Sequence, residues 1–93
     1  MPAFTTRVEL HHADNDDYET LHAAMEERGF SRFITSEDGI TYHLPTAEYD
    51  YNGNETRAHV LGLAKAAANE TGKKYAVLVT QSNGRSWHGL ARA

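Results

Sequence analysis

The sequence contains no cysteine. Disulfides, thiolate metal sites and cysteine nucleophiles are therefore excluded. It also has no run of 18 or more apolar residues, so no membrane-spanning helix is expected. Its first ten residues, MPAFTTRVEL, lack the basic start and apolar stretch of a signal peptide, and the cytoplasm is the expected compartment. Without a secretion signal, the glycosylation-type triplets at Asn54 and Asn69 read as helix-end chemistry. Positive charge is scarce too. Nine Lys and Arg face thirteen Asp and Glu, for a net charge of −4. Such a chain has no general pull toward phosphate backbones, so any nucleic-acid contact needs a local basic patch. No phosphate-cradling loop, nucleophile elbow, paired-carboxylate spacing or zinc spacing is present.

What is present is one small domain. The 93 residues are 40% hydrophobic and 24% charged, ordinary values for a globular chain with one modest core. Residues 1–93 form a single unit, with a tail from about residue 82 onward. Six histidines lower the negative charge as the pH falls toward their usual pKa near 6.5.

The segment AFTTRVELH alternates. Phe4, Thr6, Val8 and Leu10 share one face, and Thr5, Arg7, Glu9 and His11 share the other, which predicts a half-buried strand. A helix follows, with Tyr18, Leu21, His22 and Met25 at its apolar spacing. Asp14 or Asn15 can cap it, Asp16 and Asp17 suit its positive end, and Gly29 with Phe30 can close it. Two β-favouring runs flank Asp38-Gly39, predicting a hairpin with a two-residue loop and a positive φ at Gly39. Ile40, Tyr42 and Leu44 share one face of its second arm, opposite Thr41 and His43. Pro45 should end the ladder. The stretch TAEYDYNGN reads as extended chain and loop. Asn54 is expected to cap a second helix with Val60, Leu63, Ala64 and Ala67 on its apolar stripe, ended by Gly72. KKYAVLVTQ is a strand, and the tail holds a possible strand near Trp87.

The element order β-α-β-β-α-β predicts an α+β, ferredoxin-like domain: a four-stranded antiparallel sheet in the order 4-1-3-2, with two helices on one face. That topology places His11, His12, Asp14, the Glu37–Gly39 turn and Lys73-Lys74 at one end of the sheet. The Tyr49–Asn54 loop and the Gln81–Arg85 exit lie at the other. The open face carries Thr5, Arg7, Glu9, His11 and His43.

The candidate chemistry lies in HHADNDD. His11 or His12 with Asp14 can form an acid–base pair, because imidazole titrates near neutrality and a carboxylate can orient it. The alternative is a polar loop that caps the helix. A phosphate could meet Arg7, Arg32, His43, Lys73 and Lys74, although a solvated face or a dimer interface is the competing reading. His22 and His59 are expected at the surface or its boundary. Tyr49 and Tyr51 are expected to pack at the core edge rather than stack on bases. Arg85 and Trp87 are tail residues, and a lone tail tryptophan packs on its own domain or on a partner. No metal and no cofactor is expected.

DYETLHAAMEERGFSRFI, DGITYHLPTAEY and TGKKYAVLVT resemble the GhoS-type antitoxins of type V toxin–antitoxin systems, over roughly residues 4 to 87. The resemblance implies a ferredoxin-like fold similar to the CRISPR adaptation nuclease. It also implies sequence-specific endoribonuclease activity against a membrane toxin's messenger RNA. Those nucleases carry an aspartate at the end of strand 1, where this chain has His11-His12, so activity without a tightly held metal is expected. RNA is the expected partner, with no DNA and no membrane. The alternative is a noncatalytic homodimeric binding module of bacterial or phage origin. Homodimerisation is expected because two helices leave one sheet face uncovered and the Trp87 tail can add a strand to a neighbour.

Overall fold

The computed structural model describes residues 2–93. Its elements are β1 (Ala3–Leu10), α1 (Asn15–Glu27), β2 (Phe33–Thr35), β3 (Thr41–His43), β4 (Glu48–Asn52), α2 (Arg57–Asn69) and β5 (Tyr75–Ser82). The fold is α+β with antiparallel sheets, but the strands divide differently from the expectation. One sheet has three strands in the order β4-β1-β5, and β2 and β3 form a separate two-stranded hairpin. The single four-stranded sheet is therefore corrected.

The cause lies in the stretch read as extended chain and loop. Pro45 starts a tight turn closed by the Glu48 amide on its carbonyl at 3.0 Å, with Ala47 at φ +73°. That turn delivers Glu48–Asn52, not the Ile40–Leu44 arm, to the edge of β1 in the register Phe4↔Tyr51 and Thr6↔Tyr49. Tyr49 and Tyr51 then turn toward the helices. Tyr51 packs at the core margin, as expected, whereas Tyr49 is fully buried within the core rather than at its edge.

The apolar alternation of β1 works as read. Phe4, Val8 and Leu10 are buried together with Leu21, Met25, Val60, Ala64 and Ala67 from the helices. Fully burying a side chain of the Val, Leu or Phe class stabilises by about 1.5–3 kcal/mol, so this one cluster dominates the fold. The small alanines of α2 let that helix sit close over β1 and β5.

The caps follow the local chemistry. Asp14 accepts from the Asp17 amide at 3.0 Å, and the Asp17 side chain accepts from the Asp14 amide at 3.1 Å, a reciprocal capping box. At the other end the Gly29 amide reaches the Glu26 carbonyl and the Phe30 amide reaches the Met25 carbonyl, with Gly29 at φ +92°. This is a Schellman closure, with Phe30 buried in the core. The cap of α2 is Thr56, not Asn54: its hydroxyl accepts from the His59 amide at 3.0 Å, so the helix starts two residues later than expected. Arg28 and Glu70 tie the two helix ends together at 2.6 Å.

The hairpin turn is also displaced. Glu37 and Asp38 line a cleft with Ala3, Ser82 and Arg85, at the start of β1 rather than at the Lys73-Lys74 end. Freed from the main sheet, the hairpin turns back toward the N-terminal end of β1. The tail then runs over the same face. Trp87 meets Tyr42 edge-on at 5.5 Å, so it packs on its own domain. The His43 amide donates to the Ala91 carbonyl and the Ala93 amide to the Thr41 carbonyl. The tail's pairing thus lies at its last residues, not around Trp87.

Candidate functional site

The residues singled out in the sequence fall into three places. The first is the end of β1, where the expected neighbours do meet. The His11 amide donates to the Lys74 carbonyl at 2.8 Å, and Lys73 Nζ lies 3.6 Å from Asp17 Oδ2. The strand stops at Leu10, whose amide donates to the Tyr18 hydroxyl at 3.2 Å. His12 takes a positive φ of 53°. Strand alternation therefore no longer separates the two histidines. His11 is exposed, with Nε2 3.6 Å from Glu9 Oε1. His12 is exposed as well, and no hydrogen bond or ion pair holds its ring among the described residues.

Asp14 at this end is committed to the helix cap. The Asp17 amide, with a smaller contribution from the Lys73 charge, holds its carboxyl below the usual carboxylate range. It is therefore ionised near neutral pH and can orient a cation or an imidazolium but cannot supply a proton. Among the described residues no three His, Asp or Glu side chains are grouped to hold a metal ion.

Arg7 occupies the second place, on the sheet face turned away from the helices. It is exposed, opposite Glu48 on β4 and Leu78 on β5, with Glu9 two residues along on the same face. Arg32 and His43 occupy the third. Arg32 is half-buried and its carbonyl accepts from the Leu44 amide at 2.8 Å. Its charge acts on His22 and Tyr49, on the β4 side of the domain. His43 lies on β3, outside the main sheet, and its ring meets Phe33 at a tilt of 51° with centroids 4.8 Å apart. Lys73 and Lys74 precede β5, on the opposite edge of the sheet from Arg32. The five phosphate-binding candidates do not form one track.

Three features went unread in the sequence. His22 is buried, 6% exposed, rather than at the boundary, and its Nδ1 lies 2.6 Å from the hydroxyl of fully buried Tyr49. Burial, then the Arg32 charge, pushes its pKa down, and burial pushes the Tyr49 phenol up. His59, by contrast, is exposed as expected, 3.7 Å from Glu55. Arg85 lies over the open face, donating to Thr5 Oγ1 at 3.0 Å and to Asp50 Oδ1 at 2.7 Å. Clefts of about 590 and 530 Å³ flank the strap it belongs to, and both are lined by Ile34, Gly84, Arg85, Ser86 and Trp87. Leu78 is the third feature, 64% exposed on an otherwise ordered strand. The period-two pattern of β5 placed Leu78 away from Val77 and Val79, and that was the signal available.

The chain matches no family model and no curated protein.

Proposed function

We propose that the protein is a cytoplasmic RNA-acting protein of the GhoS-type antitoxin kind, an endoribonuclease directed at a toxin's messenger RNA. The observation that carries this reading is the end of β1, where two exposed imidazoles stand beside the Lys73-Lys74 turn. Lys74 is exposed and Lys73 is half-buried against Asp17. A phosphate held there by a lysine would lie at the same end of the sheet as both imidazoles, the side-chain type that most often serves as general acid or base. Because the other cations lie elsewhere, the reading is of a small site at one end, not a groove along the sheet. His11 and His12 are the catalytic candidates in it, with Asp14 orienting.

The finer fold assignment is part of the same proposal. Ser31 and Asp50 exchange both backbone hydrogen bonds, at 2.8 and 2.7 Å, on the free edge of β4. The order β5-β1-β4-Ser31 follows the ferredoxin-like 4-1-3-2 arrangement with the second strand cut to one residue. The β2–β3 hairpin is then an elaboration hung from that strand.

Incubating the pure protein with total RNA, with and without a chelator, tests the reading. Cleavage that survives the chelator is expected. Absence of any cleavage would overturn the enzymatic reading, and loss of cleavage with chelator would overturn its metal-free form.

A second reading is the noncatalytic homodimeric binding module. Leu78 favours it, because this leucine, 64% exposed near the middle of the outermost strand β5, adds an apolar side chain to an edge on which a second copy could pair.

A further inference from the structure

We infer that the outer edge of β5 is a self-association surface, on which a second copy of the chain pairs antiparallel about a two-fold axis at Leu78. The inference rests on the second reading above for its partner and adds the surface and register.

β5 stands at the end of the order β4-β1-β5 and pairs with β1 along its whole length, from Ala3↔Ser82 to Leu10↔Tyr75. That register runs without a bulge. Its other side presents alternate N–H and C=O groups with no strand beside them among the described residues. The remaining edges are covered or short: Ser31 bridges to Asp50 of β4, Arg92 bridges to Tyr42 of β3, and β2 has three residues. Edges of soluble proteins are usually blunted by lysine, proline or a bulge. YAVLVTQS has no charge, no proline and no glycine.

Side chains select the occupant. Leu78 is close to the midpoint of Tyr75–Ser82 and points away from the helices. Two residues away on the same face, Ala76 lines a hollow of about 190 Å³ together with Val77, Leu78 itself and the β1 residues Arg7 and Glu9. In a two-fold pairing with Leu78 opposite its own copy, each Leu78 has Ala76 and Thr80 of the other strand as diagonal neighbours. Each leucine then packs beside the partner's Leu78 and Ala76 at the rim of the hollow, and the contact is made twice by symmetry. The walls of the hollow carry one charge of each sign, so two acidic chains meet there without an excess of like charge. An unrelated strand could take the backbone bonds but would have no such reciprocal contact.

Sedimentation equilibrium on the whole chain up to about 100 μM, with Leu78→Lys beside the parent, is the test. A dimeric parent is expected, with association weakened at least about 100-fold in the variant, since two ammonium groups would meet on the axis. Circular dichroism of both checks that the variant folds, and Thr80→Lys serves if it does not. Hydrogen exchange of the parent should show β5 amides gaining protection with concentration. If parent and both variants are equally dimeric, the homodimer reading stands and the β5 surface is wrong. A dimer lost on Trp87→Ala but kept in Leu78→Lys would mean tail exchange and would also overturn the surface. A parent that is monomeric throughout overturns both.

Discussion

Arg85 and Asp50, 35 positions apart in the sequence, meet at 2.7 Å over the sheet face that the helices leave open. The carboxylate is doubly engaged, because Asn52 Nδ2 donates to its other oxygen at 2.7 Å. Asp50 is 8% exposed, so the contact is shielded from solvent and salt screens it weakly. This pair, with the Tyr42–Trp87 contact, fastens the tail to the domain.

Arg85→Ala should therefore destabilise the domain by about 1–3 kcal/mol, the scale for leaving a shielded charged acceptor short of a donor. Urea unfolding measures it. The tail should loosen as well, read as a change in Trp87 fluorescence before the main transition. A variant with unchanged midpoint and fluorescence would mean that the tail is held by its terminal backbone pairing alone.

The His22–Tyr49 pair makes stability depend on pH. Burial lowers the His22 pKa in the folded protein, and Arg32 lowers it further, against weaker opposing effects of Glu19 and Glu26. Tyr18 and Tyr49 complete its surroundings. The unfolded chain takes up a proton near pH 6.5, but the folded one resists. Stability should be full above about pH 6.5 and fall as the pH drops below it toward the folded pKa. His22→Gln can keep a hydrogen bond to the Tyr49 hydroxyl without titrating. Thermal melts between about pH 7.5 and 5.5 should therefore be flatter for this variant than for the parent. Parallel curves would place the acid sensitivity elsewhere.

The hairpin shows what a local pattern can and cannot fix. Gly39 has φ +83°, as the Asp38-Gly39 pair implied. The loop is three residues long, not two: the Ser36 amide donates to the Ile40 carbonyl at 2.8 Å and the Gly39 amide to the Ser36 carbonyl at 2.9 Å. A Cβ at Gly39 would meet nothing within 4 Å, so the cost of replacing it is backbone strain alone. Gly39→Val should cost about 1–2 kcal/mol and Gly39→Asn clearly less, since asparagine tolerates this region. Equal midpoints for the two variants would show that the turn rearranges.

Short-range chemistry was legible in the β1 alternation, the Asp14 cap and the Gly29 closure, and the element order alone brought His11 to the Lys73-Lys74 turn. What failed needed distant partners. Nothing near Tyr49 in the sequence says that it, rather than Tyr42, lies beside Thr6, because both arms alternate equally well. Arg85 finds Thr5 across 80 positions, and no local signal announces that. His22 reads as polar until Tyr49 is seen to satisfy its ring nitrogen inside the core.

The exposed histidines at the end of β1 are the groups proposed to act on RNA. His12 is the residue to remove, because its ring has no packing or hydrogen-bonding role among the described residues and its loss should change stability by under about 0.5 kcal/mol. The decisive measurement compares parent and His12→Ala for cleavage of the same RNA, after their thermal melts have been matched. His12→Ala should lose at least about 100-fold in rate, the scale of a general acid or base. Equal cleavage by the two would contradict that role and leave HHADNDD as a loop that caps α1.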